Sequence, residues 1–189
     1  MAKHDYESDL NGPGKTLVAF KFLVSYTPFG NSTSKNGYAK SELNKVMKSY
    51  MNALGKITNE IEPTKFYFTP GNGDYKVTTM SAKIFSLSLT ELGYKVNTSI
   101  INEEGSELPI ASMLKVGTLE NGKANGYWTR TPSSYGDGPM VDCYAAYSNT
   151  DGTGRLAMYE AKEYSRPAFT LPGDLSVVLN DDGTYSIAE

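Results

Sequence analysis

The residues best suited to chemistry are a tryptophan and an arginine two positions apart, Trp128 and Arg130, in the segment "YWTRTP". In an extended strand these two side chains share a face. Such a pair could bind a ligand, but an arginine beside an aromatic residue in a β domain often stacks on a ring or caps backbone carbonyls. A single tryptophan among β-forming residues is most often a core anchor. We therefore interpret both residues as structural.

Residues that could act as nucleophiles, bases or metal ligands are few. Cys143 is the single cysteine and His4 the single histidine, which excludes an internal disulfide and a cysteine-based zinc site. Alternation along 140–148 places Cys143 on a face with Val141 and Ala145, as a small apolar residue. His4 lies in a terminus that we expect to be mobile, a poor position for a base. We predict no catalytic residue, no metal site and no cofactor.

Other short motifs carry weak signals. The adjacent carboxylates Glu103 and Glu104 lie in a polar stretch and are interpreted as a solvated surface. The turns at 149–154 and 180–184 lack the alternating ligands of a calcium loop, which leaves at most a weak calcium site. The segment "NGPGKT" at 11–16 lacks the first glycine of a phosphate loop and precedes an apolar β-type run, so nucleotide binding is not expected.

Composition excludes two further classes of partner. The net charge is −3 and no Lys/Arg cluster is present, which argues against nucleic acid. No apolar stretch approaches the ~20 residues of a membrane span, so we expect no membrane insertion. The N-terminus also lacks the apolar core of a secretion signal, and release by cell lysis would fit.

The elements that must position these residues are mostly strands. One strongly amphipathic helix is predicted over 38–54, ending near Gly55. A half-buried strand is predicted within 83–93. Residues 94–125 are irregular enough to be a long excursion over the surface, a kind of segment that is often functional, and they are the next candidate for a contact region. From 126 onward the pattern is purely β. A helix followed by a meander of short strands predicts an α+β fold.

The loop and hairpin of 132–164 form a candidate contact surface. If the face with Val141, Cys143 and Tyr147 is buried, the opposite face, with Tyr144 and Ala146, points outward and can share a surface with residues on the return strand. Tyrosine and arginine among small residues are typical of contact surfaces. The alternative, that these tyrosines cover a second layer of the fold, stays open. The candidate partner-binding residues are Tyr135, Asp137, Tyr144, Arg155 and Tyr159.

Five segments in order resemble a domain family of unknown function common in phage and bacterial proteins of Firmicutes. They are "YAKSELNKVMKSYMNAL", "KIFSLSLTELG", "YWTRTP", "SNTDGTG" at 148–154 and "YSRPAFTLP" at 164–172. The resemblance covers roughly residues 15–172. The sequence departs from the family at "KVMKSYMN", where the family's tryptophan is missing, and in its abbreviated opening strands.

That family is similar to the C-type-lectin-like and formylglycine-generating-enzyme-like folds. The resemblance implies that the motif residues Trp128, Arg130, Arg166 and Phe169 belong to the scaffold, with binding variety in the hairpin loops. The cysteine pair of the enzyme branch and the calcium motif of the carbohydrate-binding branch are both missing. The implied organisation is an N-terminal arm at 1–14, a C-type-lectin-like domain at 15–172 and a C-terminal β-hairpin extension at 173–189.

The function implied is that of a non-enzymatic module on a phage particle, as decoration or as part of a tail or fibre. Its partners would be other virion proteins and sister copies in a homo-oligomer, and it would become extracellular with the virion after host lysis. The alternative is a receptor-binding or adhesion module for a host cell-surface glycan or protein. An enzyme of the formylglycine-generating type is disfavoured by the cysteine count.

Overall fold

Short strands form most of the regular structure of this mixed α+β fold, and the helices are few and short. The computed structural model describes residues 1–30, 37–71, 73–95, 97–134, 144–181 and 185–188. The helices are α1 (Ser8–Asn11), α2 (Glu42–Ser49) and α3 (Ala111–Leu114), with 3-10 turns at Tyr38–Lys40, Tyr50–Ala53 and Gly55–Glu60. The strands are β1 (Lys15–Ala19), β2 (Val24–Pro28), β3 (Thr64–Phe68), β4 (Thr78–Ala82), β5 (Phe85–Ser86), β6 (Gly117–Thr118), β7 (Ala124–Asn125), β8 (Tyr127–Ser133), β9 (Tyr144–Ser148), β10 (Gly154–Met158), β11 (Lys162–Ser165), β12 (Pro167–Pro172), β13 (Val177–Leu179) and β14 (Tyr185–Ile187).

Two sheets organise the core. The larger has the order β10-β9-β8-β11-β2, in which β8 and β11 run parallel and the other neighbours run antiparallel. The smaller has the order β1-β12-β5, and Lys15 at the start of β1 lies opposite Pro172 at the end of β12. The first and last strands of the 15–172 segment are therefore neighbours.

The central strand β8 is buried along its whole length, so both of its faces contact protein. Trp128 is fully buried and Phe169 is 3% exposed, which confirms the predicted burial of both. The indole N–H of Trp128 donates to the Thr27 carbonyl at 2.9 Å. The rings of Phe29 and Tyr147 pack edge-on against Trp128. The hydrogen bond compensates for burying the polar end of the indole.

The amphipathic helix is shorter than the predicted 38–54. It begins after Ser41, whose hydroxyl accepts the Asn44 N–H at 3.0 Å, and it ends at Ser49, where two 3-10 turns continue the chain. Leu43 and Met47 are buried as its pattern predicts. Asn44, expected on the polar side, is also buried, and its amide donates to the Ala39 carbonyl at 2.8 Å.

The N-terminal arm belongs to the core, and the expectation of a mobile terminus is wrong. The Ala2 N–H donates to the Leu17 carbonyl and the Leu17 N–H to the Lys3 carbonyl, both at 2.7 Å, so the arm extends along β1. Tyr6 is fully buried and stacks on Phe85 at 5.8 Å. This aromatic contact fixes the arm in place.

The segment at 94–125 also packs inward more than the sequence indicates. Ile101, Leu108 and Leu114 are buried, so the segment contributes to the core instead of lying over the surface. In 83–93 the serines Ser86 and Ser88 are as buried as their apolar neighbours, because hydrogen bonds satisfy their hydroxyls. The predicted half-buried alternation is therefore wrong there.

At the C-terminus β13 and β14 pair antiparallel, and the connection at 182–184 lies outside the described residues. No helix in the described ranges is long and apolar enough to cross a membrane.

Candidate functional site

Arg130 lies at the centre of a buried polar network. Its guanidinium forms two hydrogen bonds to the Glu91 carboxylate, from Nη1 to Oε2 at 2.7 Å and from Nη2 to Oε1 at 2.9 Å. Both side chains are fully buried. The strand β8 supplies the arginine and the turn after β5 supplies the glutamate, so the ion pair ties two segments together. A bidentate pair of this kind is geometrically specific.

Glu104 is the second carboxylate of this network. It lies 3.8 Å from Arg130 Nε, and it accepts the Thr69 N–H at 2.6 Å and the Thr131 hydroxyl at 2.8 Å. Burial raises the pKa of Glu104. Glu103 is exposed but Glu104 is fully buried, so the interpretation of the pair as a solvated surface is wrong for Glu104. Its partners are distant in sequence, and no local pattern reveals them.

The remaining contacts leave Arg130 well satisfied. It donates to the Tyr67 carbonyl at 2.9 Å and the Ser86 carbonyl at 3.0 Å, and its guanidinium lies 4.8 Å from the ring centre of Phe66. The Tyr6 hydroxyl donates to Glu91 Oε1 at 2.5 Å, and burial raises the pKa of Tyr6 well above its ordinary value. Four of the five N–H donors of Arg130 are thus used within the fold, and the fully buried side chain holds the scaffold together.

Arg166 has a different role, at the end of α3. Its guanidinium lies 4.6 Å from the ring centre of Tyr127, and Nη1 donates to the Leu114 carbonyl at 2.6 Å. The Tyr127 hydroxyl donates to the same carbonyl at 2.6 Å, and the Ser148 hydroxyl donates to the Lys115 carbonyl. Burial raises the pKa of Tyr127. Three side chains of the sheet region therefore fasten the end of α3.

The predicted contact surface is only partly within the described residues. Tyr135 and Asp137 lie outside them. Tyr144 begins β9 and pairs with Met158 of β10, and its side chain is not among the described ones. Arg155 is exposed and lies 3.7 Å from Asp151.

Tyr159 is fully buried, so its placement on an outward surface with Arg155 is wrong. The strand β10 ends at Met158, and the next turn directs Tyr159 inward, where its ring centre lies 4.9 Å from that of Phe29. Ala146, expected on the outward face, is also fully buried. Tyr159 belongs to the main hydrophobic core instead.

Arg155 instead lines a small depression with residues of the 94–101 segment, which we call the Arg155 cleft. Its volume is about 190 Å³. The floor is apolar and belongs to a second, smaller core cluster, and the exposed Lys95 joins Arg155 at the wall. The lining residues include Leu89, Tyr94, Lys95, Ile101, Arg155 and Leu156. The sequence predicted Arg155 as a contact residue, and it pointed to the 94–125 excursion, to which 94–101 belongs, only as a segment of a kind that is often functional.

In the part of the chain that the structure describes, no group of three or more His, Cys, Asp or Glu side chains is placed to hold a metal ion.

This scaffold is that of one protein family. Residues 13–173 match the family described as Domain of unknown function (DUF6273). Because the match covers most of the chain, the protein belongs to this family. No curated protein and no solved structure matches the chain.

Proposed function

We propose that the protein is a non-enzymatic binding module whose contact site is the Arg155 cleft. The supporting observation is the combination of an apolar floor, which includes Leu89 and Ile101, with the cationic side chains of Lys95 and Arg155. An apolar floor provides binding energy by burial, and a few polar groups at the rim fix orientation. The partner group therefore has an apolar body and an anionic or hydrogen-bond-accepting edge.

The size of the cleft favours recognition over turnover of a free substrate. Sites for small molecules and cofactors usually enclose about 300–1,000 Å³, and the Arg155 cleft has about 190 Å³. That volume suits a single side chain or sugar ring projecting from a larger partner.

The walls of the cleft are fixed before any partner arrives. The Tyr94 hydroxyl donates to the Gly152 carbonyl at 3.0 Å, and its oxygen lies 2.6 Å from the Ser148 hydroxyl oxygen. These bonds join the 94–101 segment to β9 and to the turn before β10. A preorganised site loses less conformational entropy on binding.

The wider setting that we propose rests on the motifs that resemble phage proteins. In this proposal the domain has a C-type-lectin-like architecture and sits on a phage particle, as decoration or in the tail, as a homo-oligomer among other virion proteins. The single principal helix, the short antiparallel strands and the scaffold use of Trp128, Arg130 and Arg166 are compatible with it. The alternative partner is a host cell-surface glycan or protein.

The contact site is tested by a charge reversal with a matched control. Arg155→Glu should weaken attachment of the purified protein to the particle or host cell by about tenfold or more, because it removes a contact side chain and places a negative charge against the anionic edge of the partner. Lys162→Glu reverses an exposed charge outside the cleft and should leave attachment unchanged. Circular dichroism confirms that both variants are folded. Equal attachment of the two folded variants would contradict the proposed site.

The virion setting is tested separately. Electron microscopy of the intact source assembly should show density for the domain on the capsid or tail. If purified particles lack this protein, the proposed location on the virion is wrong. The proposed binding site would still be tested by the Arg155 variants.

A further inference from the structure

A second open cleft, of about 470 Å³, is bounded by acidic side chains. We call it the acidic cleft, and its lining residues include Glu7, Asp9, Tyr67, Glu103 and Gly105. No residue lining this cleft lines the Arg155 cleft. The two sites are therefore separate, and a ligand of the acidic cleft would be additional to the partner proposed for the Arg155 cleft.

Glu7 is the unusual member of the acidic cleft. The residue is 6% exposed, and its Oε1 atom is buried without a hydrogen-bond partner in the described structure. Its backbone has φ 44° and ψ 55°, a left-handed conformation that residues other than glycine rarely adopt. A buried carboxylate oxygen without a donor and an unfavourable backbone both cost stability. Such features cluster at functional sites.

Gly105 makes room for this carboxylate. Its φ of +81° favours glycine, and a Cβ atom at this position would lie 2.7 Å from Glu7 Oε1 and 3.5 Å from Glu91 Oε1. The Glu7 carboxylate therefore lies near that of Glu91. Glu91 is already paired with Arg130, so Glu91 adds negative charge beside Glu7 without providing a donor.

The mouth of the cleft adds two exposed carboxylates, Asp9 and Glu103. The Tyr67 hydroxyl donates to Asp9 Oδ2, and this hydrogen bond holds the Asp9 carboxylate in one orientation. Two cations lower the pKa of Glu7: Lys3, whose ammonium donates to the Ser106 hydroxyl at 3.3 Å, and the buried Arg130, which is paired with Glu91. Burial, and then the charge of Glu91, act more strongly and raise that pKa overall. Because Arg130 and Glu91 compensate each other, the remaining charges are the carboxylates of Glu7, Asp9 and Glu103 against the ammonium of Lys3, and the cleft is negative.

We propose that the acidic cleft binds an alkylammonium group, with Glu7 as the buried acceptor and Asp9 and Glu103 as acceptors at the mouth. An ammonium carries three donors on a compact charge. It can compensate the charge of the Glu7 carboxylate, whose buried Oε1 has no donor in the described structure, and donate to the carboxylates at the mouth. The described carboxylates are not grouped to hold a metal ion. The ligand is either a free amine or the lysine side chain of a partner protein, and both present the same group.

The test is a titration followed by ¹H–¹⁵N NMR, with cadaverine as the free amine and Nα-acetyl-lysine N-methylamide as the lysine mimic. The unmodified protein should bind at least one probe with a Kd of about 1 mM or tighter. Glu7→Gln keeps the shape of the side chain and removes its charge, and it should weaken binding about tenfold or more. The control, Glu120→Gln, removes an exposed charge outside the cleft and should bind as the unmodified protein does.

Variants at the mouth keep the test decisive if Glu7→Gln does not fold. Asp9→Asn and Glu103→Gln alter exposed side chains and should each weaken binding severalfold. Binding of the lysine mimic alone supports a protein partner, and binding of cadaverine as well supports a free amine.

Three results would overturn the proposal: no binding of either probe at about 20 mM, equal affinities for Glu7→Gln and Glu120→Gln, or calcium displacing both probes at equal concentration.

Discussion

The two buried arginines of this fold are stabilised in opposite ways. Arg130 is paired with Glu91 and lies near Glu104, so the positive charge of the guanidinium is compensated by carboxylates. Arg166 forms no ion pair within the described ranges, and backbone carbonyls and the ring of Tyr127 surround it instead. Both stack on an aromatic ring, and both come from segments of similar appearance in the sequence.

The groups around each guanidinium show which parts of the chain that arginine holds together. Carboxylates from two distant segments meet at Arg130, so its loss would leave buried charges without a partner. Arg166 donates to the carbonyls of Leu114, Val116 and Lys21, which are uncharged, so its removal leaves no buried charge without a partner. A buried ion pair that loses one partner is strongly destabilised, whereas a lost hydrogen bond to a carbonyl costs less.

The largest expected effect is at Arg130. Arg130→Met should lower the free energy of unfolding by about 3–5 kcal/mol, because Glu91 and Glu104 stay buried without their cation. Urea denaturation followed by fluorescence measures the change. Adding Glu91→Gln to this variant removes one of the orphaned charges and should recover part of the loss. A double variant less stable than Arg130→Met alone would contradict the charge argument.

A smaller loss is expected at Arg166. Arg166→Met should cost about 1–3 kcal/mol, since hydrogen bonds and ring stacking are lost while no carboxylate is orphaned. Hydrogen exchange should rise first around residues 114–116, where the guanidinium holds the chain. A loss as large as that of Arg130→Met would remove the proposed distinction between the two arginines.

The smallest expected effect is a pH dependence of stability at the Arg130 network. It comes from Glu104, and within the described residues Arg166 has no carboxylate that could produce it. The folded-state pKa of Glu104 is raised above its ordinary value of 4.5, so the folded protein binds the proton more tightly than the unfolded chain does. Its contribution to stability is therefore most favourable at low pH and is lost as pH rises through the raised pKa. Glu104→Gln removes this dependence.

We expect Glu104→Gln to be most destabilised relative to the unmodified protein near pH 4, with the difference narrowing toward pH 7. Thermal unfolding across that range measures it, and Glu120→Gln serves as the control because Glu120 is exposed. If the stability difference between Glu104→Gln and the unmodified protein widens as the pH rises, the pKa of Glu104 is not raised in the folded state.

The scaffold was the predictable part of this molecule. Trp128 and Phe169 are large apolar residues in strand patterns, and residues of this kind are most often buried, as both are here. The core face of α2 was predictable for the same reason, but its length was not, because the cap at Ser41 and the turns after Ser49 depend on local geometry that periodicity does not encode.

The polar interior could not be predicted from the sequence alone. Glu104 is buried because Arg130, Thr69 and Thr131 converge on it from distant positions, whereas its own neighbours indicate a surface loop. The sequence around Glu7 likewise does not indicate that this side chain is buried. Tyr159 was misplaced because strand alternation was extended one residue past the end of β10. Whether a polar side chain is buried is decided by partners far along the chain.

The pairing of β1 with β12 has a mechanical consequence. Lys15 lies opposite Pro172, and the Gly173 N–H donates to the Gly14 carbonyl at 2.5 Å, so the chain enters and leaves this segment at one point. In an antiparallel pair the hydrogen bonds run across the strands. Tension applied between positions 14 and 173 would open them one after another, as a zipper does, and would not load them all together in shear. Under load this ladder would part at its Lys15 end first.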